Sequence, residues 1–185
     1  MNSRASAESY SSGRAGPLYT PEQRRRRDQS RWTLVQGVLA PLQFLVFLVS
    51  LALVLRFLVT GEGAQAATWS VVIKTAVLYT IMVTGAIWEK EVFGQYLFAP
   101  AFFWEDVFSM LVLALHTAYL ACALFGWLDV RMQMFIALAA YGAYVINAAQ
   151  FLIKLRQARL GAKESHQPIG TPDAVALVAA ARAWS

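Results

Sequence analysis

The sequence predicts an all-α integral membrane protein, a bundle of four transmembrane helices with an interfacial or re-entrant aromatic loop between the second and third. Hydrophobic residues make up 58% of its 185 residues and charged residues only 15%, far from the balance of a soluble domain. The charges concentrate in residues 1–31, residues 88–106 and the stretch after Lys154. Between these regions lie four apolar stretches, each near the ~20 residues that cross a bilayer. They are residues 33–58, 69–88, 107–127 and 132–153.

The stretch before the first span divides into a polar tail and a helix start. Residues 1–20 are rich in Ser, Gly and Ala and lead into four arginines, so we expect a disordered tail and no signal peptide. Thr20, Pro21 and Gln23 are typical of a helix N-terminus, with Thr20 as N-cap and Gln23 completing a capping box. We therefore place the membrane domain at residues 21–160. Residues 161–185 are expected to form a cytoplasmic tail, in which "TPDAVALVAAARAW" could form a short helix.

The distribution of Lys and Arg predicts the orientation. Arginines 24–27 and Arg31 precede the first span, and a second basic group follows the fourth. The outer loops "TGEGAQAAT" and "GWLDV" contain neither Lys nor Arg, so both termini should be cytoplasmic. Three cations fall towards the outer ends of spans, where long side chains can snorkel to the headgroups: Arg56, Lys74 and Arg131.

The connection between spans two and three is "WEKEVFGQYLFAPAFFWED", residues 88–106. Its apolar centre is too short to cross a bilayer, and Gly94 and Pro100 interrupt a continuous helix, so it should lie at the interface or dip in and return. Trp88, Tyr96 and Trp104 are residue types of an aromatic belt. The simplest interpretation is an anchoring loop whose four acids, Glu89, Glu91, Glu105 and Asp106, are solvated.

Polar residues also occur deep inside the spans. His116 lies ten residues beyond Asp106, about 15 Å at 1.5 Å per residue, and Gln43, Thr80 and Tyr144 fall at similar depths. The spacings of Glu105, Ser109, Val112 and His116 place them on one helical face, and Tyr141, Tyr144, Asn147 and Lys154 form a broader face on span four. His116 is either a functional group or a structural one that hydrogen-bonds Tyr144 or Gln43.

Several kinds of site are excluded or disfavoured. The other histidine, His166, lies in the C-terminal tail, so a bis-histidine haem or a zinc site within the bundle lacks ligands. No phosphate-binding glycine loop and no nucleophile elbow occur. The arginine run beside a span is a topology signal and not a nucleic-acid site. The single Cys122 excludes an intramolecular disulfide and is interpreted as a packing residue.

Residues 18–160 closely resemble the 3-vinyl bacteriochlorophyllide hydratase family, most specifically in "TGAIWEKEVFGQYLFAPAFFWEDVFSMLVLALHT". The resemblance implies hydration of the C3 vinyl group of chlorophyllide a or its bacteriochlorin relative to a 1-hydroxyethyl group. It implies no cofactor, because magnesium arrives with the substrate. It also implies a bacterial inner or intracytoplasmic photosynthetic membrane as the location. The expected partners are the pigment, the bilayer and other pigment-biosynthesis enzymes, with no nucleic acid.

Vinyl hydration requires an acid that faces a flat, apolar substrate. Carboxyl groups that repel one another and are partly desolvated have a raised pKa, so one of the four can remain protonated and act as general acid. Our expectation is Glu105 or Glu89 as the acid and Asp106 or Glu91 as the residue that positions water. His116 would ligate the substrate magnesium or act as acid/base partner. The predicted pigment contacts are Trp88, Tyr96, Phe98, Phe102, Phe103, Trp104, Tyr144 and Asn147.

Two other functions remain open. A non-catalytic tetrapyrrole-binding or photosystem assembly protein would use His116 and the aromatic residues but would not need four carboxylates. A small transporter would use the interior polar groups as a proton relay. The clustering of the acids favours the enzyme.

Overall fold

A computed structural model describes residues 18–164, with the side chains of residues 18–157. The helices follow one another along the chain as α1 (Pro21–Gln29), α2 (Arg31–Thr60), α3 (Ala64–Phe93), α4 (Phe103–Phe125) and α5 (Val130–Glu164). No strand occurs within that described range, and the predicted all-α class is confirmed. The predictions for residues 1–17 and 165–185, including the terminal helix and the placement of His166, concern residues outside the described range.

The four long helices have the length and composition of membrane spans. The apolar parts of α2, α3, α4 and α5 comprise 30, 30, 23 and 28 residues, and each is long enough to cross a bilayer. Their exposed surfaces carry many large apolar side chains, as expected for helices that face lipid. The chain is therefore a multi-pass membrane protein, as predicted.

The start of α1 is built as the sequence predicts. Thr20 Oγ1 accepts a hydrogen bond from the Gln23 amide at 3.2 Å, and Gln23 Oε1 accepts one from the Thr20 amide at 2.9 Å. Ser30 then separates α1 from α2 and caps α2 by accepting from the Trp32 amide. Tyr19 stacks on Phe93 with ring centroids 5.8 Å apart. These contacts fix the start of the chain's described part against the C-terminal end of α3.

The acidic residues lie on helices and not in a long loop. The connection was expected to span residues 88–106, but α3 continues to Phe93 and α4 begins at Phe103. The physical reason is that Gly94, with a φ of 88°, ends α3 in the left-handed conformation, so the acids that precede it remain helical. The connection proper is nine residues, 94–102, which is short enough to place the two helix ends beside each other.

Lys74 does not snorkel to the membrane surface, and this prediction was wrong. Its side chain is fully buried, because it shares a helix face with Ala67, Val71 and Leu78, which all point into the core. Arg56 and Arg131 are exposed near the outer helix ends, as predicted. The bundle interior thus contains a lysine that charge patterning alone had assigned to the headgroup region.

Candidate functional site

Glu89 and Asp106 form a buried carboxyl pair where α3 ends and α4 begins. The two residues are 5% and 4% exposed, and their carboxyl groups lie within hydrogen-bonding reach of each other. The Ala99 amide donates to Glu89 Oε2 at 3.3 Å, and the Phe98 amide donates to Asp106 Oδ2 at 2.7 Å. Two consecutive amides of the connection therefore hold acids from two different helices.

Phe98 adopts a backbone conformation that non-glycine residues rarely adopt. Its φ is 60°, in the left-handed region that places Cβ close to the following carbonyl oxygen. The hydrogen bond from its amide to Asp106 accompanies this conformation and helps to maintain it. Such local strain is most frequent at functional sites.

Glu105, next to Asp106 in the chain, has a different environment. Its Oε2 lies 2.6 Å from Lys154 Nζ, in an ion pair that is buried on the glutamate side and partly exposed on the lysine side. The ammonium also lies 5.1 Å from the ring centroid of Phe102. No ion pair in the described part of the chain involves Glu89 or Asp106. Glu105 is therefore neutralised by a cation, and the carboxyl pair is not.

Glu91 is not part of this cluster. It is exposed, and its Oε2 accepts a hydrogen bond from Ser30 Oγ at 2.5 Å, which links the end of α3 to the start of α2. The reason is helical geometry, because residues two apart, such as Glu89 and Glu91, do not face the same direction. The number of acids in the sequence does not separate Glu91 from Glu89, but a helix that continues through Phe93 would have predicted that the two side chains point in different directions.

The predicted pigment-contacting aromatic residues divide into an inner and an outer group. Trp88 and Phe102 belong to the inner group and pack against each other at 5.7 Å. Trp88 Nε1 also donates to Thr33 Oγ1 at 2.9 Å. Three further rings complete this cluster, those of Tyr19, Phe93 and Phe151. The inner group supports the connection from beneath.

The outer group faces away from the bundle. Phe98, Phe103 and Trp104 are 40%, 44% and 66% exposed, and their rings follow one another at centroid distances of 5.8 and 5.5 Å. We call these three residues the aromatic rim. Tyr96 is also exposed and lies beneath Lys90, whose Nζ is 5.3 Å from the ring centroid. The rim begins at Phe98, the residue whose amide holds Asp106.

His116 lies in a separate, deeper part of the bundle. It is fully buried and ten residues along α4 from Asp106, about 15 Å away along the helix axis. Its Nδ1 is 2.8 Å from the Val112 carbonyl oxygen, which can only accept, so Nδ1 carries the hydrogen and Nε2 presents a lone pair. The structural alternative, a hydrogen bond from His116 to Tyr144 or Gln43, is absent from the described contacts: Nδ1 bonds the Val112 carbonyl, and Nε2 has no partner among the described residues.

Lys74 is the interior residue whose position the sequence reasoning missed. Its Nζ lies 4.0 Å from the Tyr144 ring centroid, 5.7 Å from that of Tyr141 and 5.8 Å from that of Phe47. Three aromatic rings from α2 and α5 thus surround the amine, an arrangement that stabilises a cation away from water. The repeated apolar spacing of Ala67, Val71 and Leu78 was the signal that could have located it.

The predicted polar face of α4 is confirmed. Glu105, Ser109, Val112 and His116 are all buried within the bundle. Asn147 of α5 joins this face, with its Nδ2 donating to Ser109 Oγ at 2.8 Å. Tyr144 and Asn147, both expected to contact pigment, are buried in this interior on α5. They are not part of the exposed aromatic rim.

Among residues 18–164, no three His, Cys, Asp or Glu side chains gather into a metal-binding group. His116 would therefore act alone in any metal contact within this range. A single ligand matches a metal that is already held by a macrocycle better than it matches a free ion.

Comparison with known proteins gives a consistent result over the membrane domain. The sequence model of the family described as 2-vinyl bacteriochlorophyllide hydratase matches residues 19–157. A protein of that name from Rhodobacter capsulatus is 74% identical over 145 residues, which cover 78% of this chain and 84% of the relative. One from Cereibacter sphaeroides is 74% identical over 143 residues, 77% of this chain and 89% of the relative. No solved structure matches.

Proposed function

Because this chain belongs to the 2-vinyl bacteriochlorophyllide hydratase family, we propose that it is a membrane enzyme that adds water to the vinyl group of a bacteriochlorophyll precursor. The family name numbers the vinyl-bearing ring carbon as 2, and the same carbon is C3 in the numbering used above. The substrate is chlorophyllide a or 3-vinyl bacteriochlorophyllide a, and the product carries a 3-(1-hydroxyethyl) group. The buried Glu89–Asp106 pair is the observation that carries this proposal.

The reaction sets two requirements for the site. A proton is added to the terminal vinyl carbon, and positive charge develops on the carbon attached to the ring, where conjugation with the macrocycle stabilises it. Water then forms a bond to that carbon and loses a proton to a base. The overall reaction adds one water molecule and involves no net oxidation or reduction. The site therefore needs a protonated acid and a proton acceptor close together.

Glu89 and Asp106 meet both requirements. Two adjacent carboxyl groups that are held away from water and make no direct ion pair among the described residues retain one proton between them, because ionising both would create strong repulsion. The hydrogen bond to Asp106 is the shorter of the two amide contacts, and an amide donor favours the ionised form. Accordingly, Glu89 is the proton donor and Asp106 is the carboxylate that orients water and accepts its proton.

Glu105 and Glu91 have other roles. The Lys154 ammonium at 2.6 Å favours the ionised form of Glu105, so Glu105 is poorly suited to donate a proton. The ion pair instead fixes the first turn of α4, on which Asp106 lies. Glu91 is exposed and bonds to Ser30, which supports a structural role at the start of α2.

The aromatic rim is the docking surface for the macrocycle. Its three exposed rings offer flat apolar faces for stacking, and Phe98 connects the rim directly to Asp106 through its amide. Tyr96 extends this surface. The inner residues Trp88 and Phe102 act indirectly by supporting the connection from below.

The burial and depth of His116 support an interior role over contact with the substrate magnesium. Its side chain is fully buried, and it is about 15 Å along α4 from the carboxyl pair. Tyr144 and Asn147 share this interior and support the bundle. We propose no cofactor beyond the magnesium that the pigment carries.

The membrane setting completes the proposal. The basic residues before α2 and after α5 support cytoplasmic termini, which place the carboxyl pair at the cytoplasmic interface of the photosynthetic membrane. Other pigment-biosynthesis enzymes that deliver or remove the pigment are the expected partners there.

The direct test of this function is turnover without redox cofactors. Membranes that contain the protein, supplied with chlorophyllide a, should form a pigment heavier by one water, with its red absorption band at shorter wavelength because the vinyl group leaves the conjugated system. Binding of pigment with no gain in mass would instead support a carrier or assembly protein. A requirement for NADPH or oxygen would contradict a hydration.

A further inference from the structure

Six side chains inside the bundle have buried polar atoms without a hydrogen-bonding partner among the described residues. In a membrane protein such atoms are costly, since lipid offers no partner and native structures leave few buried polar groups unsatisfied. The atoms are both amide atoms of Gln43, Lys74 Nζ, His116 Nε2, the Tyr119 hydroxyl oxygen, Asn147 Oδ1 and Gln150 Oε1.

The residues that carry these atoms occur at successive helical turns, from the end of the bundle that contains Glu89 and Asp106 to its middle. Gln150 is one helical turn from Lys154, which holds Glu105. Asn147 follows one turn deeper, where it contacts Ser109 of α4. Along α5, the distance from residue 154 to residue 144 is about 15 Å.

The middle of the bundle continues the same series. Lys74 lies against Tyr144, one turn beyond Asn147, and His116 packs against Tyr141 with ring centroids 5.9 Å apart. Gln43 lies one turn from Phe47, whose ring is 4.9 Å from that of Tyr144. The side chains that carry these atoms are thus related to one another by direct contacts or by single helical turns.

The mixture of donors and acceptors identifies the ligand. Lys74 Nζ and Gln43 Nε2 donate, whereas His116 Nε2 and the amide oxygens of Gln43, Asn147 and Gln150 accept. An anion would face too many acceptors, and a cation would be repelled by the Lys74 ammonium. A water molecule both donates and accepts, and it is small enough to occupy polar sites in a packed interior.

We propose that the bundle interior binds a file of water molecules that runs from Gln43, Lys74 and His116, past Asn147 and Gln150, to the Glu105–Lys154 ion pair. In each position water supplies the partner that the protein does not. The water file does not depend on the proposed function, although it would have one consequence for it. A hydratase consumes one water in each turnover, and the file ends beside the carboxyl pair.

The first test measures access of water to a cysteine placed in the file. In a Cys122→Ser background, Asn147→Cys should react with a small water-soluble thiol reagent in native membranes. The matched control is Ala140→Cys, which lies on the same helix at a buried apolar position. Since a thiol reacts as the thiolate and dry surroundings suppress ionisation, the modification rate at residue 147 should exceed that at residue 140 by at least about tenfold. Equal rates would overturn the proposal.

The second test uses thermal unfolding and does not depend on folding of the Asn147 variant. If Gln43 had no partner, Gln43→Leu would remove an unsatisfied amide and raise the unfolding temperature. If water satisfies the amide, the substitution leaves the unfolding temperature unchanged or lowers it. Gln133→Leu is the control for a partnered amide, because Gln133 Nε2 donates to the Leu128 carbonyl at 2.8 Å, and it should lower the temperature. A rise for Gln43→Leu would overturn the proposal whatever the turnover assay shows.

Discussion

Glu89 at the end of α3 and Asp106 at the start of α4 present their buried carboxyl groups to each other. The connection between them folds back, and its amides at Phe98 and Ala99 bind the two acids separately. In the proposed mechanism the Glu89–Asp106 pair shares one proton, whereas the neighbouring Glu105 forms an ion pair with the Lys154 ammonium. The chemistry of the site therefore depends on how a nine-residue connection folds.

Two substitutions of Phe98 distinguish the effect of its backbone strain from the effect of its aromatic ring. Phe98→Gly and Phe98→Ala both remove a ring from the aromatic rim, so both should weaken pigment binding. Only glycine adopts the left-handed conformation without a steric penalty, so the Gly variant should be more stable than the Ala variant by roughly 1 kcal/mol. Thermal unfolding in detergent measures this difference. A more stable Ala variant would show that φ at residue 98 is not strained.

The Glu105–Lys154 ion pair should contribute to the free energy of unfolding and should not be essential for turnover. Glu105→Gln or Lys154→Met alone should lower the free energy of unfolding by about 1–3 kcal/mol, because each leaves a partly buried partner without its charge. The double variant should recover part of that loss, and a double-mutant cycle measures the coupling. Strict additivity would show that the two groups do not interact. Glu105→Gln should also retain measurable turnover.

The pH dependence of turnover should report the shared proton. The proposed mechanism needs a protonated Glu89 and an ionised Asp106, so turnover should be highest where the pair holds one proton and should fall at both lower and higher pH. Lys154→Met removes a nearby cation that favours ionisation, so the alkaline limb should move to higher pH. A limb that moves to lower pH, or no limb at all, would contradict a carboxylic acid as the donor.

His116 provides a test of the interior role. If His116 stabilises the bundle and its water, His116→Ala should reduce binding of magnesium pigments and of metal-free analogues by the same factor. Titration of both pigments into the purified variant measures the two affinities. A selective loss for the magnesium pigment would instead make His116 a ligand to the substrate metal.

The sequence was sufficient for the features that depend on local pattern. Apolar length predicted the four spans, and the capping box at Thr20 predicted the start of α1. Spacing predicted the buried face of α4 from Glu105 to His116. The family resemblance predicted the activity, which composition alone could not.

Features that depend on tertiary contacts were not predictable in the same way. A lysine in the outer half of a span is ordinarily interpreted as a snorkelling residue; the apolar spacing around Lys74 indicates a buried face, but the aromatic rings of α2 and α5 that its amine contacts become known only from the packing. The sequence did not decide between Glu105 and Glu89 as the acid, or between Asp106 and Glu91 as the residue that positions water. The ion pair with Lys154 and the two loop amides distinguish them, and both arise from residues distant in the chain or from a loop conformation.

The most direct test of the central claim is the turnover of Glu89→Gln, because glutamine keeps the shape of glutamate but cannot donate the proton. Turnover should fall by about 10²- to 10⁴-fold, the loss typical of removing a general acid, while pigment binding persists. The control is Glu91→Gln, which changes an exposed acid two residues away and should leave turnover near that of the unmodified protein. Turnover at the unmodified level in Glu89→Gln, or an equal loss in Glu91→Gln, would contradict the assignment of the proton donor.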